Sequence, residues 1–332
     1  MADVPDPQIQ DPGDAVVRVT RAAICGSDLH YLHGKTPLEP GGVIGHEGVG
    51  VVEAVGPAVE RFAPGDRVVL AFVLACGRCW FCTHDRSALC DQVGMLGGGP
   101  FLGSLGGAHA ERVRVPVADV NLLGVPDGME DERALFVGDV LTTGMYAAAI
   151  AGIAPEDTVA VVGAGPVGFF CVQAALALGG RVFAIDPDPI RLALAERVGA
   201  VGVDPRERHP ETALSEASEG RGADVVLEAV GSSEAFESAI GIARRGGTVV
   251  VVGVYAGESV ELQLGVWWAR ALTVRFAGLC PVHAWWERAM AEVEAGRIDP
   301  SPIVSHRLSL EDAPRGYELF ERREATKVVL IP

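Results

Sequence analysis

The chain is 332 residues long, 49% hydrophobic, with 42 glycines and a formal net charge of −17. Such a length and apolar content suit two compact domains rather than a disordered chain, and the acidity, with no basic patch to offset it, excludes nucleic-acid and anionic-membrane partners. No apolar run reaches the length of a membrane span and the start, MADVPDPQIQ, has no signal-peptide core, so we expect a cytoplasmic protein whose seven cysteines are reduced and serve metal binding or catalysis before disulfides.

Residues 15–22 alternate as a strand and deliver Cys25-Gly26-Ser27-Asp28-Leu29-His30, which gathers a thiol, a hydroxyl, a carboxylate and an imidazole. Residues 41–52, GGVIGHEGVGVV, set His46 and Glu47 among glycines ahead of a further strand, crowding that suits backbone packed against a buried ion. A lone cysteine is usually a small buried hydrophobe and a lone histidine a core residue. Together, at two strand ends, Cys25 and His46 are better explained as ligands to one catalytic zinc, which takes thiolate and imidazole alike. A third protein ligand is needed, and the candidates are Glu47 and Asp139, the latter in GDVLTTG.

Between them lies Cys76-x2-Cys79-x2-Cys82-x7-Cys90, four thiols at short, regular gaps that can wrap one metal tetrahedrally. With all four corners filled, this zinc should hold a lobe over residues 76–90 rather than catalyse. Residues 113–117 and 120–123 read as short strands closing a β-rich domain.

The run 159–168, VAVVGAGPVG, reads as a buried strand turning sharply into a helix, a place to set a diphosphate. Gly163 permits the tight turn, Gly165 lets backbone N–H groups approach the phosphates, and Gly168 lets helix pack on strand; Pro166 falls in the first helical turn, where its missing N–H costs nothing. Glycine turns also serve packing alone, so the reading leans on the residues downstream. A helix over 167–178 leads to RVFAID, a strand ending in Asp186 about 20 residues beyond the glycines, where a carboxylate accepts from adenosine ribose hydroxyls and repels a 2′-phosphate. The expected cofactor is therefore NAD rather than NADP. Arg191, one turn on, is either a contact to the ribose edge or diphosphate or a solvated helix charge. Strands over 223–230, 247–254 and 272–278, with a helix over 233–244, continue an alternation that means a parallel sheet covered on both faces. Helices over 284–294 and 310–322 and the strand KVVLI return the chain to the first domain. Trp267, Trp268, Trp285, Trp286 and His109 are candidates to shape a pocket, with core packing or subunit contact favoured for Trp285 and Trp286; Cys171 reads as buried and inert.

CGSDLH, GHE with its following glycines, the four-cysteine lobe, and GAGPVG with Asp186 occur in an order that resembles the zinc-dependent medium-chain alcohol dehydrogenases over nearly the whole chain. The resemblance implies an α/β fold in which a Rossmann-type, doubly wound parallel-sheet domain (143–279) is inserted in a β-rich GroES-like catalytic domain (1–142 and 280–332). It implies two zinc ions per chain: a catalytic one on Cys25, His46 and the position of Asp139, with Glu47 able to replace a ligand or a water, and a structural one on Cys76, Cys79, Cys82 and Cys90. Asp28 would orient the His46 imidazole, Ser27 and His30 would pass the alcohol proton outward through the nicotinamide ribose, and Thr143 and Val167 would pack beside the nicotinamide. The implied activity is reversible hydride transfer from a primary, secondary or polyol alcohol to NAD, giving an aldehyde or ketone, in a homodimer or homotetramer with strand 272–278 pairing across a two-fold axis.

Aspartate as third ligand is shared with bacterial secondary-alcohol dehydrogenases, many of which prefer NADP, whereas Asp186 points to NAD. Family members usually carry an extra strand and turn before the segment that here begins at Val4, so an uncovered sheet edge is expected. Two other readings are a zinc-free quinone or enoyl reductase on the same fold and a non-catalytic NAD-binding structural protein. Both would dispense with the ligand and relay residues, which are all present here.

Overall fold

The computed structural model describes residues 1–256 and 259–332. Valine-rich runs form β1 (Ala15–Ile24), β2 (Glu47–Val55) and β3 (Arg67–Leu70), then the short pair β4 (Val73–Leu74) and β5 (Gly94–Met95), then β6 (Arg112–Val115) and β7 (Leu122–Gly124). One short helix, α1 (Asp28–Leu32), interrupts them between β1 and β2.

Next come alternating strands and helices: β8 (Thr158–Val162), α2 (Pro166–Ala177), β9 (Arg181–Ile185), α3 (Pro189–Arg197), β10 (Val201–Val203), α4 (Pro210–Ala217), β11 (Ala223–Glu228), α5 (Ser233–Ile242), β12 (Ala243–Val251) and, after a short helix over Leu264–Ala269, β13 (Thr273–Phe276). Among the described residues these strands make one six-stranded sheet in the order β10-β9-β8-β11-β12-β13, parallel throughout. Every residue of β8 is buried, as a strand covered on both faces requires. The strand order reverses between β8 and β11, and the glycine turn leaves the carboxyl end of β8 at that switch point, where doubly wound sheets bind ligands.

The chain then adds α6 (Trp286–Glu294), β14 (His306–Ser309), α7 (Ala313–Glu321) and β15 (Val328–Ile331). The last two strands join the first sheet, whose order is β14-β15-β1-β2-β3-β7, with β6 also paired to β1. The fold thus has two compact units, Met1–Thr142 with Leu279–Pro332, and Thr143–Gly278. Registers Ala23↔Glu47 and Ile24↔Val328 bring the end of β1 and the starts of β2 and β15 side by side. Residues just beyond those ends (Cys25, His46 and Lys327) are thereby gathered from three distant parts of the chain. No single described helix is long and apolar enough to cross a membrane.

Some local expectations are corrected. Residues 120–123 are not one strand: Ala118–Asn121 form a helical turn, and only from Leu122 does the chain enter β7. Val117 takes a left-handed conformation (φ 48°), which turns the chain, and Asn121 is held inward by the Ala75 N–H (2.9 Å) and the Pro116 carbonyl (2.8 Å). The helices expected from residues 284 and 310 each open with a 3-10 turn, Val282–Ala284 and Leu310–Asp312. Trp286 is buried and Trp285 lies half-buried under the Arg288 guanidinium, while Trp267 packs on Phe236 and Trp268 is 84% exposed. The residues before β1 carry no strand; Val4, Pro5, Pro7 and Gln10 share a cleft with Arg112, Val113 and Arg114.

Candidate functional site

Two clusters of metal-binding side chains stand in the first unit. The first is local. Cys76, Cys79, Cys82 and Cys90 bring their sulfurs together, with Sγ to Sγ distances of 3.5 Å (Cys79 to Cys82), 3.8 Å (Cys79 to Cys90) and 4.0 Å (Cys76 to Cys82). A tetrahedron of sulfurs each about 2.3 Å from zinc has edges of about 3.8 Å, whereas a disulfide would need about 2.05 Å. Backbone N–H groups are aimed at the sulfurs: Cys76 and Gln92 donate to Cys90 Sγ (both 3.3 Å), and Cys79 to Cys76 Sγ (3.4 Å). The N–H groups of Asp91 and Cys82 hold the Cys79 thiol down to about 6, while burial pushes Cys82 up to about 12 and Cys90 upwards, so the cluster holds its protons unevenly when no metal is bound. By their spacing the residues fit a closed zinc site.

The second cluster is assembled by the fold. The ligand atoms of Cys25, His46, Glu47 and Asp139 all lie within 4.8 Å of one another, and His46, Glu47 and Asp139 are buried. Cys25 follows β1, His46 and Glu47 straddle the start of β2, and Asp139 follows a 3-10 turn, Phe136–Gly138. Asp28 ties the first segment to the second: its Oδ2 accepts from the Cys25 N–H at 2.8 Å and its Oδ1 lies 3.1 Å from His46 Nδ1, a close ion-pair distance rather than a well-aligned hydrogen bond. The other face of the ring, Nε2, looks at Asp139 Oδ2 (3.2 Å) and Ser27 Oγ (3.4 Å). Ser27 and His30 are both half-buried, at the cap of α1 and within it.

Burial alone would lower the His46 pKa, but Asp28, Cys25 and Asp139 together hold it well above the ordinary imidazole value. Burial pushes Glu47 up to about 7 against the opposing pull of Lys327. Lys327, fully buried, contacts Glu47 Oε1, while Glu47 Oε2 has no hydrogen-bond partner among the described residues. One thiol and three carboxyls, those of Asp28, Glu47 and Asp139, thus gather round the His46 imidazole and one ammonium. A divalent cation would take the place of the imidazole proton at Nε2 and give the orphaned oxygen a partner, so this donor set also fits zinc.

Lys327 was not legible as a site residue. In sequence it is the polar head of an apolar strand; it reaches Glu47 only because β15 pairs with β1. His109, a candidate from sequence to shape a pocket, bonds the Ala23 carbonyl and the Tyr317 hydroxyl beside this cluster.

In the second unit the glycine turn is tightly made. Gly163 has φ +88°, and a Cβ on Gly168 would stand 1.8 Å from the Gly163 carbonyl oxygen. Gly165 caps α2 and Pro166 opens it; Val167 beside them and Thr143, near the start of this unit, are half-buried. Asp186 is buried just past β9 and already accepts two backbone N–H groups, Ala164 on Oδ2 and Asp188 on Oδ1, both at 2.8 Å. It therefore braces the turn, and a carboxylate keeps lone pairs for further donors. Arg191 lies 3.6 Å from Asp186 Oδ2 and 3.7 Å from Asp188 Oδ2, with its buried Nε lacking a partner among the described residues.

Known proteins share these features. Residues 11–127 match the alcohol dehydrogenase GroES-like domain family and residues 166–295 the zinc-binding dehydrogenase family. An uncharacterized zinc-type alcohol dehydrogenase-like protein of Bacillus subtilis is 38% identical, the match covering 99% of this chain and 96% of its own length. Among solved structures, an alcohol dehydrogenase from Thermus sp. ATN1 superposes with a TM-score of 0.94 at 44% identity, over 99% of this chain and 95% of that one. A putative zinc-binding dehydrogenase from Sinorhizobium meliloti, bound to NADP, has a TM-score of 0.86 at 32% identity, over 100% of this chain and 94% of that one.

Proposed function

The chain belongs to the zinc-dependent alcohol dehydrogenase family of medium-chain oxidoreductases, and from that premise we propose that it moves hydride between a small alcohol and NAD, with one catalytic and one structural zinc per chain. The observation that carries the reading is the convergence of Cys25, His46, Glu47 and Asp139 ligand atoms within 4.8 Å.

Cys25, His46 and Asp139 hold the catalytic ion, with Glu47 as the alternate carboxylate. When bound, zinc supplies Lewis-acid polarisation of the alcohol oxygen, and NAD takes the hydride, so that alcohol and NAD⁺ give carbonyl compound, NADH and a proton. Asp28 beside Nδ1 fixes the His46 tautomer with its Nε2 lone pair directed at the ligand cluster. Ser27 Oγ takes up the alcohol proton, and His30 carries it towards solvent. Burial, then Lys35 and His33, keep the His30 pKa below the usual imidazole value, which leaves it neutral and ready to accept. Lys327 offsets the Glu47 charge, so that the site is not held open by repulsion between carboxylates.

The turn Gly163–Gly168 receives the cofactor diphosphate, and Asp186 receives the adenosine ribose while repelling a 2′-phosphate. Arg191, whose Nε makes no hydrogen bond among the described residues, is the group that a 2′-phosphate would recruit if the charge of Asp186 were removed. Copies of the chain pair through the edge strand β13, whose Phe276 is 70% exposed. Light scattering should then give at least twice the 34.7 kDa chain mass.

The test is metal analysis beside a screen for NAD reduction over primary, secondary, polyol and amino alcohols. Two zinc ions per chain and turnover of at least one class are expected; turnover unaffected by loss of the Cys25 metal would refute the reading. Asp186→Asn, which keeps an acceptor for Ala164, should raise the NADP to NAD ratio of kcat/KM on the order of a hundredfold, the size of one removed like-charge clash. An unchanged ratio would mean that Asp186 does not meet the ribose.

A further inference from the structure

His109 is bonded in two directions that the chemistry above does not use. Its backbone runs against the approach to His46: Gly107 N donates to the Val43 carbonyl (2.8 Å), Ala108 N to that of Gly45 (2.8 Å) and His109 N to that of Ile44 (3.0 Å). Its side chain lies over Gly45 of the same turn and reaches β1, with Nε2 3.1 Å from the Ala23 carbonyl, two residues before Cys25. A carbonyl only accepts, so Nε2 carries the proton and Nδ1 is the acceptor for the Tyr317 hydroxyl at 2.8 Å. The Tyr317 ring stands edge-on to the imidazole, centroids 5.8 Å apart at 70°.

Room for this ring is made at Gly45. That residue has φ +96°, and a Cβ there would lie 2.3 Å from His109 Cδ2. The imidazole thus occupies the space between the end of β1 and the turn that bears His46. A side chain that merely filled this gap would need no directed bonds, yet both ring nitrogens have partners, on β1 and on α7, and the backbone of the same residue grips the turn.

We propose that His109 is a positioning residue that ties the segment carrying Cys25 to the turn carrying His46 and so sets the gap across which the metal is held, with Tyr317 fixing its tautomer. This rests on the reading of Cys25 and His46 as ligands. Groups that orient ligands without touching the metal typically change metal affinity by about 10–100-fold when removed.

Cobalt(II) in place of zinc gives a direct readout, because its visible bands follow the geometry of its ligands. The bands lost in Cys25→Ala define the signal of this site and separate it from the four-cysteine lobe. His109→Phe, which fills the space without hydrogen bonds, should shift those bands and weaken cobalt binding there by about 10–100-fold while the lobe signal stays intact. Tyr317→Phe should do the same in smaller measure, and His109→Gln, whose amide can still donate to the Ala23 carbonyl, should recover part of the loss. Unchanged bands and affinity in both His109→Phe and Tyr317→Phe would overturn the proposal. If His109→Phe does not fold, Tyr317→Phe decides alone, since it removes only a hydroxyl. A wild-type spectrum with no component sensitive to Cys25→Ala would instead sink the ligand reading, and this proposal with it.

Discussion

The two clusters, 76–90 and 25/46/47/139, offer metal ligands by opposite constructions. In the lobe, donors from fifteen consecutive residues face one another and the supporting hydrogen bonds come from the same loop, so the site needs little but its own sequence. In the other, donors more than a hundred residues apart meet in the interior, with supports from Asp28 and His109 within that span and from Tyr317 and Lys327 far beyond it. Four thiolates would close every corner of a tetrahedron and give stability alone. A thiol, an imidazole and two carboxyls in the interior would leave a metal able to exchange a ligand for substrate, and that ability would depend on the whole domain.

The contrast is broken or sharpened by substitution. Cys25→Ala should cut turnover by about a thousandfold, since Lewis-acid activation amounts to several kcal/mol of barrier, while leaving the lobe metal and NAD affinity in place. Cys82→Ala should do the reverse, lowering Tm on the order of 10 °C and releasing the lobe metal before activity falls at low temperature. Equal loss of metal and activity in both variants would dissolve the distinction.

A smaller effect is expected at Lys327→Met, which leaves Glu47 buried without its counter-charge and should cost about 3–5 kcal/mol in urea denaturation of the metal-free protein. Adding Glu47→Gln should restore much of that stability, and a double variant no better than the single would show that Lys327 acts through packing on Phe136 instead.

The smallest concerns how the lobe is pinned to its domain. His283 stands between Ser87 of the lobe and Asn121, at 2.8 Å from each, and burial lowers its pKa to about 4. An imidazole neutral when folded but protonated when unfolded below about 6.5 contributes stability that is present above that pH and lost as pH falls towards 4, about 3 kcal/mol in all. His283→Gln should flatten stability against pH across that window. A slope identical to wild type would place the titration elsewhere.

Local patterns were readable, and Cys25, His46, Glu47 and Asp139, which the structure brings within 4.8 Å, could be named because each stands in a short motif of its own; the supports that reach them from far along the chain could not. CGRCWFC with Cys90, and GAGPVG running into RVFAID, announce themselves because each site is made by neighbours in sequence whose spacing matches the geometry needed. The short strand expected over 120–123 failed for a local reason too. Val117, a β-branched residue, sits at φ 48°, a conformation that no pattern rule assigns to valine. Lys327 and Tyr317 could not be read at all, because their roles exist only through the pairing of β15 with β1 and the packing of α7 beneath it. Asp186 was readable as an acid at the right distance, but its bracing of Ala164 follows from backbone direction, which the sequence does not encode locally.

The placement of Lys327 on β15 also orders events during synthesis. Cys25, His46, Glu47 and Asp139 leave the ribosome long before β14 and β15 do, and the inserted Thr143–Gly278 unit, with its own sheet, lies between them. The counter-charge of Glu47 is therefore among the last groups to be made, and the carboxyls of the pocket can be buried with their ammonium only after β15 has joined β1.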